Sequence, residues 1–370
     1  MINKKILLLP AMIIAIVLLS GWGQTGHYHI SQRASLSYNE HMQDFDQWTS
    51  ILAAHASDAD KRKSTDPNES PRHYIDIDNY QLFNETGRIP QTLDSVIMLY
   101  GSYFVYDQGV LPWATMRTFD SLVSCFERYD WEKAVLFAAD LGHYVADGHM
   151  PMHLTRNYNG QFTGNNGIHS RYESTMINAY ISQITYDGSP AEFVEDVSEY
   201  VFGYIYQNYP YVDSILLADD YAKSVSGNTG SQAYKQALWE YSNGFTTHLF
   251  KNASHALADL IYTAWVHAGT PELGSSSIAD PLVVQGILLR QNTPNPFATS
   301  TAIAFELLDQ TDITIEIYNA TGQRVAIPAN GSYAAGSHRL QWQSRETQPG
   351  IYYLILTSPQ GRQMRKMVVQ

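Results

Sequence analysis

The sequence predicts an all-α domain followed by a small all-β domain. Long stretches between residues 22 and 270 carry apolar residues at spacings typical of helices. Residues 271–286 are rich in Gly, Ser and Pro and are therefore predicted to be a linker. Residues 287–370 alternate between apolar and polar with a period of two, which is typical of strands. A chain of 370 residues is long enough for two such domains.

Residues 1–21 have the features of a secretory signal peptide. Lys4 and Lys5 precede 14 almost wholly apolar residues, Ile6–Leu19, and small residues follow. This apolar core is too short for a membrane-spanning helix. We therefore expect an exported protein, and cleavage after Gly21 would make Trp22 the new N-terminus.

The helical part is interrupted at recognisable positions. Helices are predicted within residues 28–56, 80–130 and 191–268, with a charged, proline-containing loop before residue 73. Another helix begins near Trp131 and should break near Met150, because Pro151 cannot continue it. A Gly/Asn-rich loop then leads to a second helix near Ile168.

Two histidine–acid pairs in this region indicate metal chemistry. His143 and Asp147 are four residues apart, as are His169 and Glu173, and on a helix each such pair shares one face. His153 follows the break and enters from a new direction. Imidazole and carboxylate groups are the usual ligands of zinc other than thiolate.

The alternative for one pair alone is a surface ion pair or a packed core histidine. Two pairs and a further histidine within 31 residues favour a metal site. His149 lies six residues after His143 and points elsewhere on the helix, so it is left out of the ligand set.

Further candidate ligands lie nearer the N-terminus. If Trp22 becomes the first residue, its α-amine and carbonyl can chelate a metal in a five-membered ring, and His27 is near enough to join. Taken only as a run of charged residues, the segment that follows would more often be a solvated loop than a metal site. Its candidates are Asp58, Asp60, His73, Asp76 and Asp78.

Charge and cysteine content narrow the classes of function. The chain has a net charge of −13, and residues 22–286 carry 14 Lys and Arg against 31 Asp and Glu, or −17. A surface this acidic should not bind polyanions strongly by charge alone. Because Cys125 is the only cysteine, no intramolecular disulfide can form. Stability must then come from a core or from metal ions.

Five motifs occur in the order WGQTGH, ASDADKRK, HYIDID, HYVADGHMPMH and HSRYE. Together they resemble the superfamily of zinc-dependent phospholipase C and the fungal single-strand-specific nucleases, over roughly residues 22–270. The resemblance implies a helical fold that binds about three zinc ions and hydrolyses phosphodiesters. It implies a first zinc on Asp58, His73, His143 and Asp147, a second on His153, His169 and Glu173, and a third on Trp22, His27 and the bridging Asp147.

By the same resemblance Asp58 is the catalytic residue, which orients or deprotonates the attacking water. Asp60 can replace it, since both lie in SDAD and the sequence does not separate them. The start WGQTGH is nuclease-like, whereas HSRYE and the lack of disulfides are phospholipase-like. The predicted function is a phospholipase C-like phosphodiesterase. One alternative is a nuclease or 3′-nucleotidase acting on single-stranded nucleic acid, and another is a non-catalytic zinc-binding surface module. No stable protein partner is implied.

The β-domain is predicted to be a small immunoglobulin-like sandwich. Its strands read TAIAFELL, DITIEIYN, SHRLQWQS, GIYYLILT and QMRKMVVQ, with turns at Pro/Asn clusters, NATGQ, ANGS and SPQG. The segments NTPNPF, ITIEIYNATGQRV, GIYYLIL and the closing RKMVVQ resemble the C-terminal sorting domain of the type IX secretion system. This resemblance implies passage through the periplasm, recognition by that secretion machinery and no catalysis in this domain.

Overall fold

The computed structural model describes residues 22–273, 287–290, 292–307, 310–319, 322–344, 348–359 and 361–370. The predicted signal peptide and most of the predicted linker lie outside these residues. Helices occupy residues 23–267 and strands occupy residues 287–369. The predicted fold class, a helical part followed by an antiparallel β part, is therefore confirmed. The domain boundaries at residues 270 and 287 stay predictions.

The first eight helices precede the Gly/Asn-rich loop, and the others follow it. They are α1 (Gly23–Arg33), α2 (Thr49–His55), α3 (Asp58–Arg62), α4 (Gln81–Thr86), α5 (Leu93–Tyr100), α6 (Ser102–Asp107), α7 (Leu111–Glu127), α8 (Trp131–Gly148), α9 (Ile168–Ser170), α10 (Ile177–Tyr180), α11 (Val197–Asn208), α12 (Tyr211–Val225) and α13 (Gln232–His267). None of those in residues 22–273 has the length and hydrophobicity that a bilayer crossing needs.

Helix α8 lies in the core of the helical part. Asp130 caps its first turn by accepting a hydrogen bond from the backbone N–H of Lys133. Apolar residues of α8 pack with those of α2, α7 and α13 in one buried cluster. Helix α13 comes close at Gly142, where a Cβ would lie 2.8 Å from Cδ2 of Leu257. This close approach buries the helix turn that carries His143.

The predicted break at Pro151 is present. Helix α8 ends at Gly148, and a 3₁₀ turn, Pro151–His153, follows. In the next loop Gly160 has φ +70°, and a Cβ there would lie 2.6 Å from the carbonyl oxygen of Asn165. The chain becomes helical again at Ile168, as predicted, and runs through a π-helical segment, Arg171–Met176, before α10.

Some helix bounds differ from the prediction. Within residues 28–56, helix α1 begins earlier than predicted, at Gly23, and 3₁₀ turns at Ala34–Ser37 and Gln43–Trp48 separate it from α2. Helix α7 begins at Leu111 and has Pro112 in its first turn. Proline fits the first turn of a helix, where its missing N–H costs nothing.

The described strands are β1 (Ile287–Leu289), β2 (Ser300–Leu307), β3 (Thr311–Asn319), β4 (Arg324–Tyr333), β5 (Gly336–Gln343), β6 (Gly350–Ser358) and β7 (Gly361–Val369). They form two antiparallel sheets with the orders β1-β2-β5 and β4-β3-β6-β7. Ile303 and Phe305 of the first sheet pack with Ile315, Leu354 and Met367 of the second in one buried core, as in a sandwich.

Two strands, β1 and β4, were not predicted from the sequence. Strand β1 has three residues, too few for a visible alternation. The tetrapeptide ANGS was predicted to be a turn but lies inside β4, where Asn330 pairs with Thr314 and Gly331 pairs with Ile313. Asn and Gly are turn residues by preference, but pairing with β3 overrides that preference here.

Candidate metal centre

Asp147 lies at the centre of a cluster of buried histidines. Its carboxylate is fully buried, and Oδ2 lies 3.0 Å from Nδ1 of His73 and 3.3 Å from Nε2 of His143. Oδ1 lies 3.4 Å from Nδ1 of His153 and 3.5 Å from Nε2 of His27. Burial alone would raise the pKa of Asp147, but His143, His153 and the other partners hold it well below its usual range. A single ionised carboxylate therefore joins four histidines from separate segments.

The first group of candidate ligands surrounds Oδ2 of Asp147. Helix α8 supplies His143, and a 3₁₀ turn, Ser70–His73, supplies His73. Nε2 of His143 lies 2.9 Å from Nδ1 of His73. Oδ1 of Asp60 lies 3.6 Å from Nδ1 of His73 and 3.7 Å from Nε2 of His143. Donor atoms of His73, His143 and Asp147 are close enough together to hold one ion, and so are those of His27, Asp60 and His143.

The second group consists of His153, His169 and Glu173. The 3₁₀ turn after α8 carries His153, and the helical segment from Ile168 carries the other two. Nε2 of His169 lies 3.0 Å from Oε2 of Glu173, and Nε2 of His153 lies 3.2 Å from Nε2 of His169. All three side chains are at most 4% exposed. The predicted triad is thus brought together in the fold, and it too could hold a metal ion.

Trp22 and His27 lie beside these groups. Both are fully buried. The indole N–H of Trp22 donates a hydrogen bond to the carbonyl oxygen of Ala146, next to Asp147 in the chain. The ring of His27 stacks on His143 at 3.9 Å, and neither of its nitrogens has a hydrogen-bond partner. The structure therefore places the start of the helical part against the candidate ligands.

Asp58 is not part of the cluster, which corrects its predicted place in the ligand set. Its Oδ2 lies 2.5 Å from Nδ1 of His55, and its Oδ1 accepts a hydrogen bond from Lys61. Asp60, the alternative in SDAD, faces His73 and His143 instead. Residues two apart point about 200° away from each other around a helix, so only one of the two can face the cluster. The orientation of α3 could not be predicted from the sequence, so the sequence did not show which of the two aspartates faces the cluster.

The histidine tautomers leave acceptor nitrogens facing one another. The Nδ1 atoms of His143, His153 and His169 each contact a backbone carbonyl oxygen, at 2.7, 2.5 and 3.0 Å. A carbonyl only accepts, so each Nδ1 carries a proton, and in the neutral ring Nε2 presents a lone pair. The lone pairs of neutral His153 and His169 face each other at 3.2 Å. Such a contact is unfavourable unless a metal ion, or a proton on one of the two nitrogens, lies between them.

The distances also suit a tetrahedral metal site. Zinc bonds of 2.0–2.1 Å in tetrahedral geometry place ligand atoms roughly 3.3 Å apart. Within the two groups, the contacts that the histidines make with one another and with the acids run from 2.9 Å to 3.9 Å. Oδ1 of Asp147 and both nitrogens of His27 are buried and have no hydrogen-bond partner, which is costly in a protein interior. The residues present therefore fit a divalent metal.

Burial shifts the ionisation of several of these groups. It lowers the pKa of both His27 and His153 to about 3, so both are neutral near pH 7 and able to bind a metal. Burial raises the pKa of Glu173 to about 7. Burial alone would also lower the pKa of His143, but Asp147 and Asp60 raise it to about 9. A bound cation would stabilise the ionised carboxylates and the neutral imidazoles together.

A cleft of about 260 Å³ reaches these groups from the surface. It is lined by His73, His153 and His169 together with Lys63, Ser70, Tyr74, Asp76, Met152 and Tyr158. Burial, with Asp78 and Asp107 nearby, raises the pKa of Asp76 to about 7. Candidate ligands that line an open cleft are accessible to a substrate, unlike those of a closed structural zinc site.

Several residues around the centre were not singled out from the sequence. Lys63, Tyr74 and Tyr158 line the cleft, and Glu69 contacts His73 at 3.4 Å. Asp76 had been noted only as a possible ligand. These residues lie within or beside the matched motifs, and this position was the only signal for them in the sequence. The conformation of the charged loop could not be predicted, so the directions of its side chains could not be predicted either. His149, excluded from the ligand set, donates to the carbonyl oxygen of Val145 and stacks on Tyr204.

Comparison with protein families identifies the C-terminal part. Residues 293–370 match the family model of the secretion system C-terminal sorting domain. The predicted resemblance to a type IX sorting domain is thereby confirmed. A sorting domain of this kind indicates secretion or a cell-surface location, and it implies an interaction with the secretion machinery. A search of curated protein sequences gives no match.

Two toxins are among the solved structures that are similar to this chain. Alpha toxin from Clostridium absonum is similar with a TM-score of 0.41 and 10% sequence identity, over 95% of this chain and 96% of that chain. Clostridium perfringens alpha-toxin from an avian strain is similar with a TM-score of 0.39 and 10% identity, over 94% of this chain and 96% of that chain.

Glu173→Gln should stabilise the metal-free protein at pH 8 while weakening metal binding. The folded-state pKa of about 7 lies above the ordinary 4.5, so a stability cost appears as the pH rises from 4.5 to 7 and is complete above 7. The neutral amide removes that cost, which is at most about 3 kcal/mol. Urea unfolding in EDTA should show a gain at pH 8 and little difference at pH 4.5. Equal stability of both proteins at pH 8 would contradict this interpretation.

Proposed function

We propose that this protein is a secreted zinc-dependent phosphodiester hydrolase of the phospholipase C type. The observation that carries the proposal is the pair of lone-pair nitrogens on His153 and His169, which face each other at 3.2 Å beside Glu173. Such an arrangement is favourable around a metal ion, and the donor set suits zinc. The five ordered sequence motifs supply the reaction class by resemblance.

The proposed ligands follow the two groups and the N-terminus. Asp60, His73, His143 and Asp147 would hold a first zinc, and His153, His169 and Glu173 a second. A third would be held by His27, Asp147 and the amine and carbonyl of Trp22. When bound, zinc would supply Lewis-acid activation of water and of the phosphoryl oxygens.

Within this scheme the protein groups orient the reactants and move a proton. His143 and Lys63 lower the pKa of Asp60, although burial alone would raise it, so its carboxylate is ionised at neutral pH. Asp60 is 13% exposed and is therefore the group that we assign to orient the water and accept its proton. Lys63, which donates to Asp60 at 2.7 Å and lines the cleft, would place a positive charge near the phosphoryl oxygens.

The charges favour a lipid substrate over a nucleic acid. Residues 22–286 carry a net charge of −17, so a polyanion would meet repulsion. One observation favours the second candidate, a nuclease or 3′-nucleotidase: the rings of Tyr74 and Tyr158 line the same cleft and could stack on a base. A parallel assay on phosphatidylcholine vesicles, single-stranded DNA and 3′-AMP separates the two.

The mature full-length protein should bind about three zinc ions and hydrolyse a phosphodiester. Asp147→Ala and His143→Ala should lose metal and activity and lower stability, because metal binding is coupled to folding. Asp60→Asn should lower kcat by about 100-fold or more, as expected when a general base is removed. Zinc content by elemental analysis and hydrolysis of bis(p-nitrophenyl) phosphate measure these effects.

Asp58→Asn is the matched control for this experiment. The same change two residues away, at a carboxylate that pairs with His55 and Lys61, should leave zinc content and rate close to wild type. Zinc-free protein after reconstitution would overturn the proposal. Zinc-loaded protein without turnover on any phosphodiester would favour the non-catalytic surface module.

The mature protein should begin at Trp22. The buried position of Trp22, whose indole N–H donates to the carbonyl oxygen of Ala146, supports a role for its α-amine in the third zinc site. N-terminal sequencing of the exported protein tests the cleavage point directly. A chain that keeps one Met before Trp22 should bind about one zinc fewer than a chain released at Trp22 by a specific protease. Equal zinc content of the two chains would remove the third site.

Deleting residues 287–370 should leave zinc binding and hydrolysis nearly intact, because all proposed ligands lie between Trp22 and Glu173. The deletion should stop surface delivery and leave the enzyme in the periplasm, since residues 293–370 match a sorting domain. Activity on one soluble substrate and cell fractionation report the two effects. A large loss of activity with unchanged export would instead indicate that the sandwich assists substrate binding.

A further inference from the structure

The ring nitrogens that face away from the metal groups are held in two different ways. His143, His153 and His169 each direct Nδ1 to a backbone carbonyl oxygen. His73 has the opposite orientation: its Nδ1 faces Asp147 and His143, and its Nε2 lies 3.4 Å from Oε1 of Glu69. Among these four histidines, His73 is therefore the one that turns its outer nitrogen to a carboxylate.

Glu69 is held in place by three other side chains. It is fully buried. Tyr144 on helix α8 donates its hydroxyl hydrogen to Oε1. Arg72 donates to Oε2 at 2.8 Å, and Arg62 donates to the same oxygen at 3.3 Å. Oε1 is thus shared between the hydroxyl of Tyr144 and Nε2 of His73, while both arginines bind Oε2.

We propose that Glu69 is a positioning residue for the first metal site, which accepts the N–H of Nε2 of His73 so that the Nδ1 lone pair faces the ion. The inference rests on the proposed zinc site. The present 3.4 Å separation reaches hydrogen-bond range with a ring shift of about 0.2 Å. A carboxylate partner makes an imidazole more basic than a carbonyl partner does, and it fixes the tautomer.

A purely structural role explains this arrangement less well. The side chains of Arg62 and Arg72 are 37% and 31% exposed, so both can be solvated without Glu69. Arg62 also pairs with Asp140 at 3.0 Å. Burying a carboxylate completely is costly, and buried ion pairs often add no net stability. The contact with His73 provides a reason for the buried charge.

Glu69→Gln tests the proposal, with Glu199→Gln as the matched control. Glu199 also pairs with an arginine, Arg88, but both side chains are exposed. Zinc affinity is measured by competition with a chelator, and the Co²⁺-substituted full-length protein is followed by its absorption spectrum. We expect Glu69→Gln to lower the affinity for one zinc ion by about 10-fold or more and to change the cobalt spectrum. Glu199→Gln should match wild type in both measurements.

The metal-free unfolding midpoint separates positioning from structural support. A lower midpoint in EDTA with unchanged zinc affinity and cobalt spectrum would overturn the proposal. If Glu69→Gln does not fold, Tyr144→Phe takes its place, because it keeps the carboxylate charge and removes one anchor of Oε1. Tyr144→Phe should lower the affinity for the same zinc ion by a smaller factor, and unchanged affinity would again count against the proposal. Absence of zinc from the wild-type protein would contradict the proposed function itself.

Discussion

The helical part depends on one buried charge, the carboxylate of Asp147. An ionised carboxylate in a protein interior is stable only with close partners. Here the partners are four histidines within 3.5 Å. They come from α1, α8 and two 3₁₀ turns, so distant segments of the chain must meet around one side chain. Where each of these segments begins and ends determines whether its histidine reaches Asp147.

Local features of the helical part bring these segments together around Asp147. Gly142 lets α13 approach α8 closely, which buries the turn that carries His143. Pro151 ends α8 and lets His153 return from another direction. The π-helical segment after Ser170 contains Glu173, and π-helical turns are frequent at functional sites. Breaks in regular structure thus bring ligands together that a straight helix would keep apart.

The parts of the site that follow helical periodicity could be predicted from sequence. The pairs His143–Asp147 and His169–Glu173 meet as their spacing predicts. The orientation of Asp58 and Asp60 could not be predicted, because α3 has only five residues and no apolar stripe that fixes its direction. Glu69 lies in a charged loop, where nothing marks one carboxylate as buried. Strand β4 was missed because its pairing with β3 overrides the turn preference of Asn and Gly.

Anomalous X-ray scattering at the zinc edge, from crystals of the mature protein grown with zinc, would locate the metal ions around Asp147. We expect peaks on both sides of the Asp147 carboxylate. One should lie near His73 and His143, another near His27, and a further peak between His153, His169 and Glu173. Zinc-replete crystals without anomalous density beside Asp147, with the histidines paired only through hydrogen bonds, would contradict this expectation.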